Sequence, residues 1–146
     1  MWEAGATVAV NNKIVLSPYA RALGIEVADF EDRIPVMKVS FGGSVEGRPQ
    51  YFHGGATSGL LETAAYTALR LRLDEEGRHP VFKPINITVQ FLSGGRSEPA
   101  FAKARITRLG ARNANVSVEA WQSDRDRPIA SAVMNILLVE ESDQRD

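Results

Sequence analysis

Apolar residues recur along this chain with two different periods. In "INITVQFL", residues 85–92, Ile85, Ile87, Val89 and Phe91 alternate with Asn86, Thr88 and Gln90; in "NVSVEAW", residues 115–121, Val116, Val118 and Ala120 alternate with Ser117 and Glu119. Period two marks a strand with one face toward a core, so each is expected to bury its apolar side. "IEVADF" and "PVMKVSF" read as two earlier strands, and "AFAKARITRLG" and "PIASAVMNILLVE" as two later ones. Turns expected at "GARN" and "SDRDRP" make the last four strands a meander.

The helical period appears twice. "SPYARALG" predicts a short helix with Ser17 as N-cap, Pro18 at the first helical position and Gly24 as terminator. The stretch from Gly55 to about Asp74 predicts one long helix, ended by "EEGRHP", where Gly77 and Pro80 oppose continuation. The order is therefore two strands, one long helix, four strands. An antiparallel sheet with a single long helix buries its apolar face against that helix, which makes the expected class α+β, a curved sheet around a central helix.

Composition narrows the chemistry. With 146 residues the chain is expected to form one domain, and the tail "EESDQRD", 140–146, is expected to fray. The 17 basic and 18 acidic residues give a formal charge of -1, so no field draws a polyanion and nucleic acid is not an expected partner. The absence of cysteine excludes a disulfide framework, a thiolate nucleophile and Cys-ligated metals. No run approaches about 18 consecutive apolar residues and the start lacks a signal pattern, so no membrane partner and a cytoplasmic location are expected.

One residue breaks the apolar pattern of the long helix. At about 100° per residue, Thr63, Thr67, Arg70 and Asp74 fall about 80–140° from Glu62 and form the expected polar face, whereas Gly55, Tyr66, Leu69 and Leu73 fall within about 40° of it. Glu62 thus shares its line with residues expected to be buried or to face a partner. Either it is a half-exposed residue or one held by Arg72 or Arg105, or it has a functional role. The "HGG" at the helix start bears on that choice: Gly54 and Gly55 allow a ligand close to the backbone, and the first helical N–H groups lack partners. Such N–H groups can hold a carbonyl oxygen as it becomes an oxyanion, and a carboxylate can then serve water-mediated acyl transfer.

The motif "HGGATSGLLETA", with the acidic residue nine positions after the histidine, resembles the helix motif of hotdog-fold acyl-CoA thioesterases, in particular the phenylacetic-acid-degradation type related to 4-hydroxybenzoyl-CoA thioesterase. The likeness runs over roughly residues 18–139, including "NITVQFLSG". It implies a single hotdog domain that hydrolyses an acyl-CoA thioester with no metal or other cofactor, coenzyme A being part of the substrate. By position it implies that Glu62 activates water or attacks the thioester, that the Gly54 N–H polarises the carbonyl, and that His53 orients the loop. Gly55, Gln50 and Tyr66 are implied substrate-binding positions, Tyr66 through a hydroxyl near the water. Gly47 stands where related enzymes often have Asn or Gln, with Gln50 as the nearest substitute, and Pro84 stands where some relatives carry serine.

Eight residues separate Gly54 from Glu62, about 12 Å of helix, too far for both to act on one carbonyl. Two antiparallel helices related by a two-fold axis would instead bring Gly54 of one copy to Glu62 of the other. A homodimer is expected, and the family adds pairing into tetramers. For the phosphates of coenzyme A, Arg112 in "LGARNAN" is the implied cation, with Arg108 or Lys83 as helpers. Leu61, Leu69, Phe82 and Phe91 are candidates for an acyl slot. The alternative is a hotdog module that binds acyl-CoA without cleaving it. A hydratase on this fold would need an Asp/His pair, and neither His53 nor His79 follows such a motif.

Overall fold

A computed structural model describes residues 14–140. Apart from Glu140, the tail expected to fray lies outside the described residues. Helix α1, Pro18–Leu23, forms as its caps dictate: the Ser17 hydroxyl accepts from the Ala20 N–H at 3.0 Å, and Gly24 ends the turn in the left-handed conformation. Strands β1, Ile25–Glu31, and β2, Ile34–Val39, follow, then the long helix α2, Gly54–Glu75. The chain continues through β3, Val81–Phe91, β4, Ala100–Leu109, β5, Asn113–Trp121, and β6, Ala130–Val139.

The six strands form one antiparallel sheet in the order β1-β2-β4-β5-β6-β3. Register shifts in β1, β3 and β4 bend their strands, which lets the sheet curl around α2 as the hotdog arrangement requires. Small side chains face the helix from the middle strands: Ala100, Ala102 and Ala104 on β4, Ala114 and Ala120 on β5. They allow the sheet to approach closely enough for Leu60, Leu61, Leu69 and Leu73 of α2 to be enclosed.

The last four strands are not a meander. Only β4, β5 and β6 run in sequence order; β3 pairs with β6 and forms the sheet edge. The burial that the alternation of β3 suggests holds only in its middle, where Ile87 and Val89 are half buried against the core, and fails at Ile85 and Phe91. Phe91, Val89 and Ile87 lie opposite Ala130, Ala132 and Met134 on the helix side of the sheet, yet Phe91 is 58% exposed. The cause is placement: α2 packs across β2, β4 and β5, meets β6 weakly, and reaches β3 mainly at its start, where Tyr66 and Arg70 lie on Phe82, so the far end of the edge strand stays open. Pro84, which has no N–H for a ladder, is tolerated on such an edge strand.

The expected polar face of α2 is also overturned. Thr63, Thr67 and Arg70 are buried, and backbone carbonyls satisfy the Thr67 hydroxyl and the Arg70 guanidinium. The Thr67 hydroxyl donates to the Thr63 carbonyl at 2.7 Å, and the Arg70 guanidinium donates to the carbonyls of Pro80 and Arg78, each at 2.8 Å. Arg70 also lies 3.3 Å from Asp74 and over the Phe82 ring, so it fastens the helix end to the lead into β3.

Candidate functional site

The segment before α2 sets the site. The Phe52 N–H bonds the Gly95 carbonyl at 2.8 Å, and the His53 N–H bonds the Val45 carbonyl at 2.7 Å, so the loop folds back on itself before entering the helix. Gly47 is part of that fold: a Cβ there would sit 2.9 Å from the His53 Cα. An Asn or Gln at 47 would therefore push His53 and the helix start away. Gln50 is exposed, has φ +70° and uses its N–H on the Glu46 carboxylate at 2.9 Å.

His53 is the N-cap of α2, and its Nδ1 accepts from the Gly55 N–H at 2.8 Å. That bond needs an unprotonated Nδ1, so the neutral ring carries its proton on Nε2. The Ala56 and Thr57 N–H groups both donate to the His53 carbonyl. The expectation of several free N–H groups thus holds for Gly54 alone; the Gly55 N–H is taken by the cap. Gly54 is exposed, its N–H has no hydrogen bond among the described residues, and the Phe91 ring lies beside it, 3.4 Å from where a Cβ would stand.

From Ala56 through Arg70, α2 is buried at every position except Ser58 and Glu62. Among the described residues no hydrogen bond or ion pair holds the Glu62 carboxylate. Arg72 instead pairs with Glu76 at 3.0 Å, and Arg105 lies on the sheet surface away from the helix, which removes both suggested partners. Burial raises the Glu62 pKa above the ordinary carboxylate value. One turn on, Tyr66 stacks on Phe82 with ring centroids 6.2 Å apart. Burial first, and the Glu62 charge second, raise its phenol pKa, so the hydroxyl remains a donor beside the carboxyl group.

Leu61, Leu69 and Phe82 are core residues, which leaves Phe91 as the one open member of the expected acyl slot. At the far end of α2, Arg112 and Lys83 line a groove of about 790 Å³, which Arg108 does not join. Arg78, not singled out in the sequence, is there too, and its guanidinium donates to the carbonyls of Gly110 and Ala111 at 3.1 and 3.0 Å. Its signal was only an arginine after the helix-ending glycine; what recruits it is the turn between β4 and β5, more than thirty residues along the chain.

Residues 35–137 match the family model described as the acyl-CoA thioesterase N-terminal domain. Among solved structures, a thioesterase from Haemophilus influenzae is similar with a TM-score of 0.75 at 17% identity, covering 88% of this chain and 87% of that one. A phenylacetic acid degradation-related thioesterase, described as putative, from Ralstonia eutropha gives 0.70 at 16% identity, with 85% and 92% covered. A protein from Chromobacterium violaceum is 30% identical, with a TM-score of 0.66 and 85% of each chain covered. The first two likenesses show the fold. A search of curated proteins finds no match.

Proposed function

The chain belongs to the acyl-CoA thioesterase family and is a thioester hydrolase, and from that premise we propose how its own residues do the work. The substrate is an acyl-CoA, and the site is shared by two copies of the chain. The Gly54 N–H of one copy holds the thioester carbonyl, and Glu62 of the other removes the proton from water or attacks the carbonyl itself. In the water route, the hydroxide oxygen bonds to the carbonyl carbon, the electron pair moves onto the oxygen held at Gly54, and the C–S bond then breaks. The sulfur leaves as CoA thiol, taking the proton that Glu62 accepted. Tyr66 donates to the water or the carboxylate, and His53 keeps Gly54 aimed by capping Gly55.

What carries this reading is a half-buried carboxylate with no partner on the same helix as one free N–H group. Eight residues, about 12 Å, lie between them, which is why a second copy is needed. Contact with His53 gives Gly47 a steric reason, so the amide that related enzymes often carry there has to come from another residue, Gln50 being the nearest. Arg112, Lys83 and Arg78 offer the phosphates of coenzyme A three cations at the mouth of one groove. Glu62 to Glu76 is fourteen residues, about 21 Å of helix, a length suited to an extended pantetheine arm. Glu46 holds the backbone N–H of Gln50 and so braces its loop, which leaves the exposed side-chain amide of Gln50 to bind substrate.

The same proposal treats the chain as a single hotdog unit working in the cytoplasm without metal or redox cofactor; among the described residues no helix is long and apolar enough to cross a membrane. The deciding experiment follows release of CoA thiol from short, long and aromatic acyl-CoAs by wild type and Glu62→Ala. Turnover should fall about 10³-fold in the variant. Wild-type protein that binds every acyl-CoA and cleaves none would return the binding module to first place.

A further inference from the structure

Ser58 is the only residue besides Glu62 that escapes burial between Ala56 and Arg70, and no catalytic role has been given to it. It stands four residues after Gly54 and four before Glu62, midway along the span that a shared site must bridge. A two-fold axis that sets Gly54 against the Glu62 of another copy passes through that midpoint. Each α2 therefore presents its own residue 58 to the same residue of its mate. Residues 54, 58 and 62 succeed one another by one helical turn, so all three lie along one opening in the packing around the helix.

The occupant of that opening is a second copy of this chain. Beside it, Phe91 lies exposed against Gly54, and the half-covered Ile87 and Val89 extend an apolar surface to the unpaired edge of β3. A hydroxymethyl at the crossing point leaves room for two helices to touch. Resting on the shared-site reading, we propose that the two Ser58 side chains meet on the dimer axis and that each hydroxyl is a positioning residue, holding the hydrolytic water against the Glu62 one turn away. One hydroxyl pair at the axis then serves both sites, each of which lies about 6 Å of helix from it.

The chain contains no cysteine, so Ser58→Cys introduces a single thiol. Helices packed about 9–10 Å apart bring directly facing Cα atoms to about 4.4–5.4 Å, within reach of a disulfide. Mild oxidation should convert most of the variant into a covalent dimer. A protein that sediments as a dimer yet forms no such link would overturn the place of Ser58 on the axis and leave the shared site standing. An active monomer would remove both together. The role of the hydroxyl is read separately in Ser58→Ala, where kcat should fall about tenfold, as expected for one lost hydrogen bond, with KM and Tm unchanged. Equal kcat in wild type and variant would overturn that role.

Discussion

At the scale of single residues, the half-buried position of Glu62 makes its charge costly and its basicity useful for the same reason. Burial favours the protonated form, so the folded pKa lies above the unfolded value of 4.5. Its stabilising contribution is present below 4.5 and is lost as pH rises through the folded pKa; above that, the ionised group weighs against the folded state. Glu62→Gln keeps the shape and removes the charge. The variant should therefore melt above wild type at pH 8, with the gap closing toward pH 4.5, while losing turnover. A lower Tm than wild type at pH 8 would show that Glu62 gains a partner in solution. Gly54 admits an equally clean change. Gly54 is the first helical position, and His53 before it has φ -65° and ψ 138°, a conformation proline tolerates in its predecessor. Gly54→Pro should thus keep the helix start and delete one N–H, with Gly54→Ala, which keeps the N–H and adds a Cβ 3.4 Å from Phe91, as the control for bulk. A loss of about 10²–10³ in kcat, with intact circular dichroism, is expected of an oxyanion donor; near-normal turnover would mean the carbonyl is held elsewhere.

At the scale of elements, the end of α2 is fixed by Arg70 and the turn beyond it by Arg78, so the groove at Arg112 is built by backbone carbonyls bonded to buried and half-buried cations. Arg70→Met leaves two carbonyls without their donor and Asp74 with His79 alone, 3.1 Å away, and should cost about 3–5 kcal/mol in urea unfolding. A cost below about 1 kcal/mol would show that the loop does not depend on it. In Arg112→Ala the fold should hold while KM for acyl-CoA rises, with little change for a pantetheine thioester that lacks the phosphates. Equal effects on both substrates would remove Arg112 from phosphate binding. These links also show which features a sequence can carry. The caps of α1 were legible because Ser17, Pro18 and Gly24 act within one turn. The line of Glu62 was legible because helical spacing alone defines it. The burial of Thr67 and Arg70 was not, since it depends on which strands and loops surround the helix, and Arg70 is satisfied by carbonyls eight and ten residues away. Strand order escaped for a similar reason: alternation says that β3 has two faces, and only the tertiary fold puts it beside β6 at the edge of the sheet. Gly47 looked like a missing functional group until its distance from His53 gave it a steric one.

At the scale of the whole molecule, the decisive property is that one chain holds both halves of a site and cannot join them. Gly54 and Glu62 lie on one rigid helix, so no loop movement shortens the roughly 12 Å between them. That rigidity makes a mixing experiment informative. Glu62→Ala and Gly54→Pro are each expected to be inactive as homodimers, because every site lacks one member. When the two are mixed and allowed to exchange, about half of the dimers contain one of each under random pairing. In such a dimer, Gly54 from the first variant faces Glu62 from the second, and one of the two sites is complete. Activity should return to about a quarter of the wild-type value per chain, at a rate set by subunit exchange. If both groups acted within one chain, every chain in the mixture would carry a defect and no activity would return. Recovery that appears in the mixture and is absent from either protein alone would place the dimer interface through the centre of the reaction.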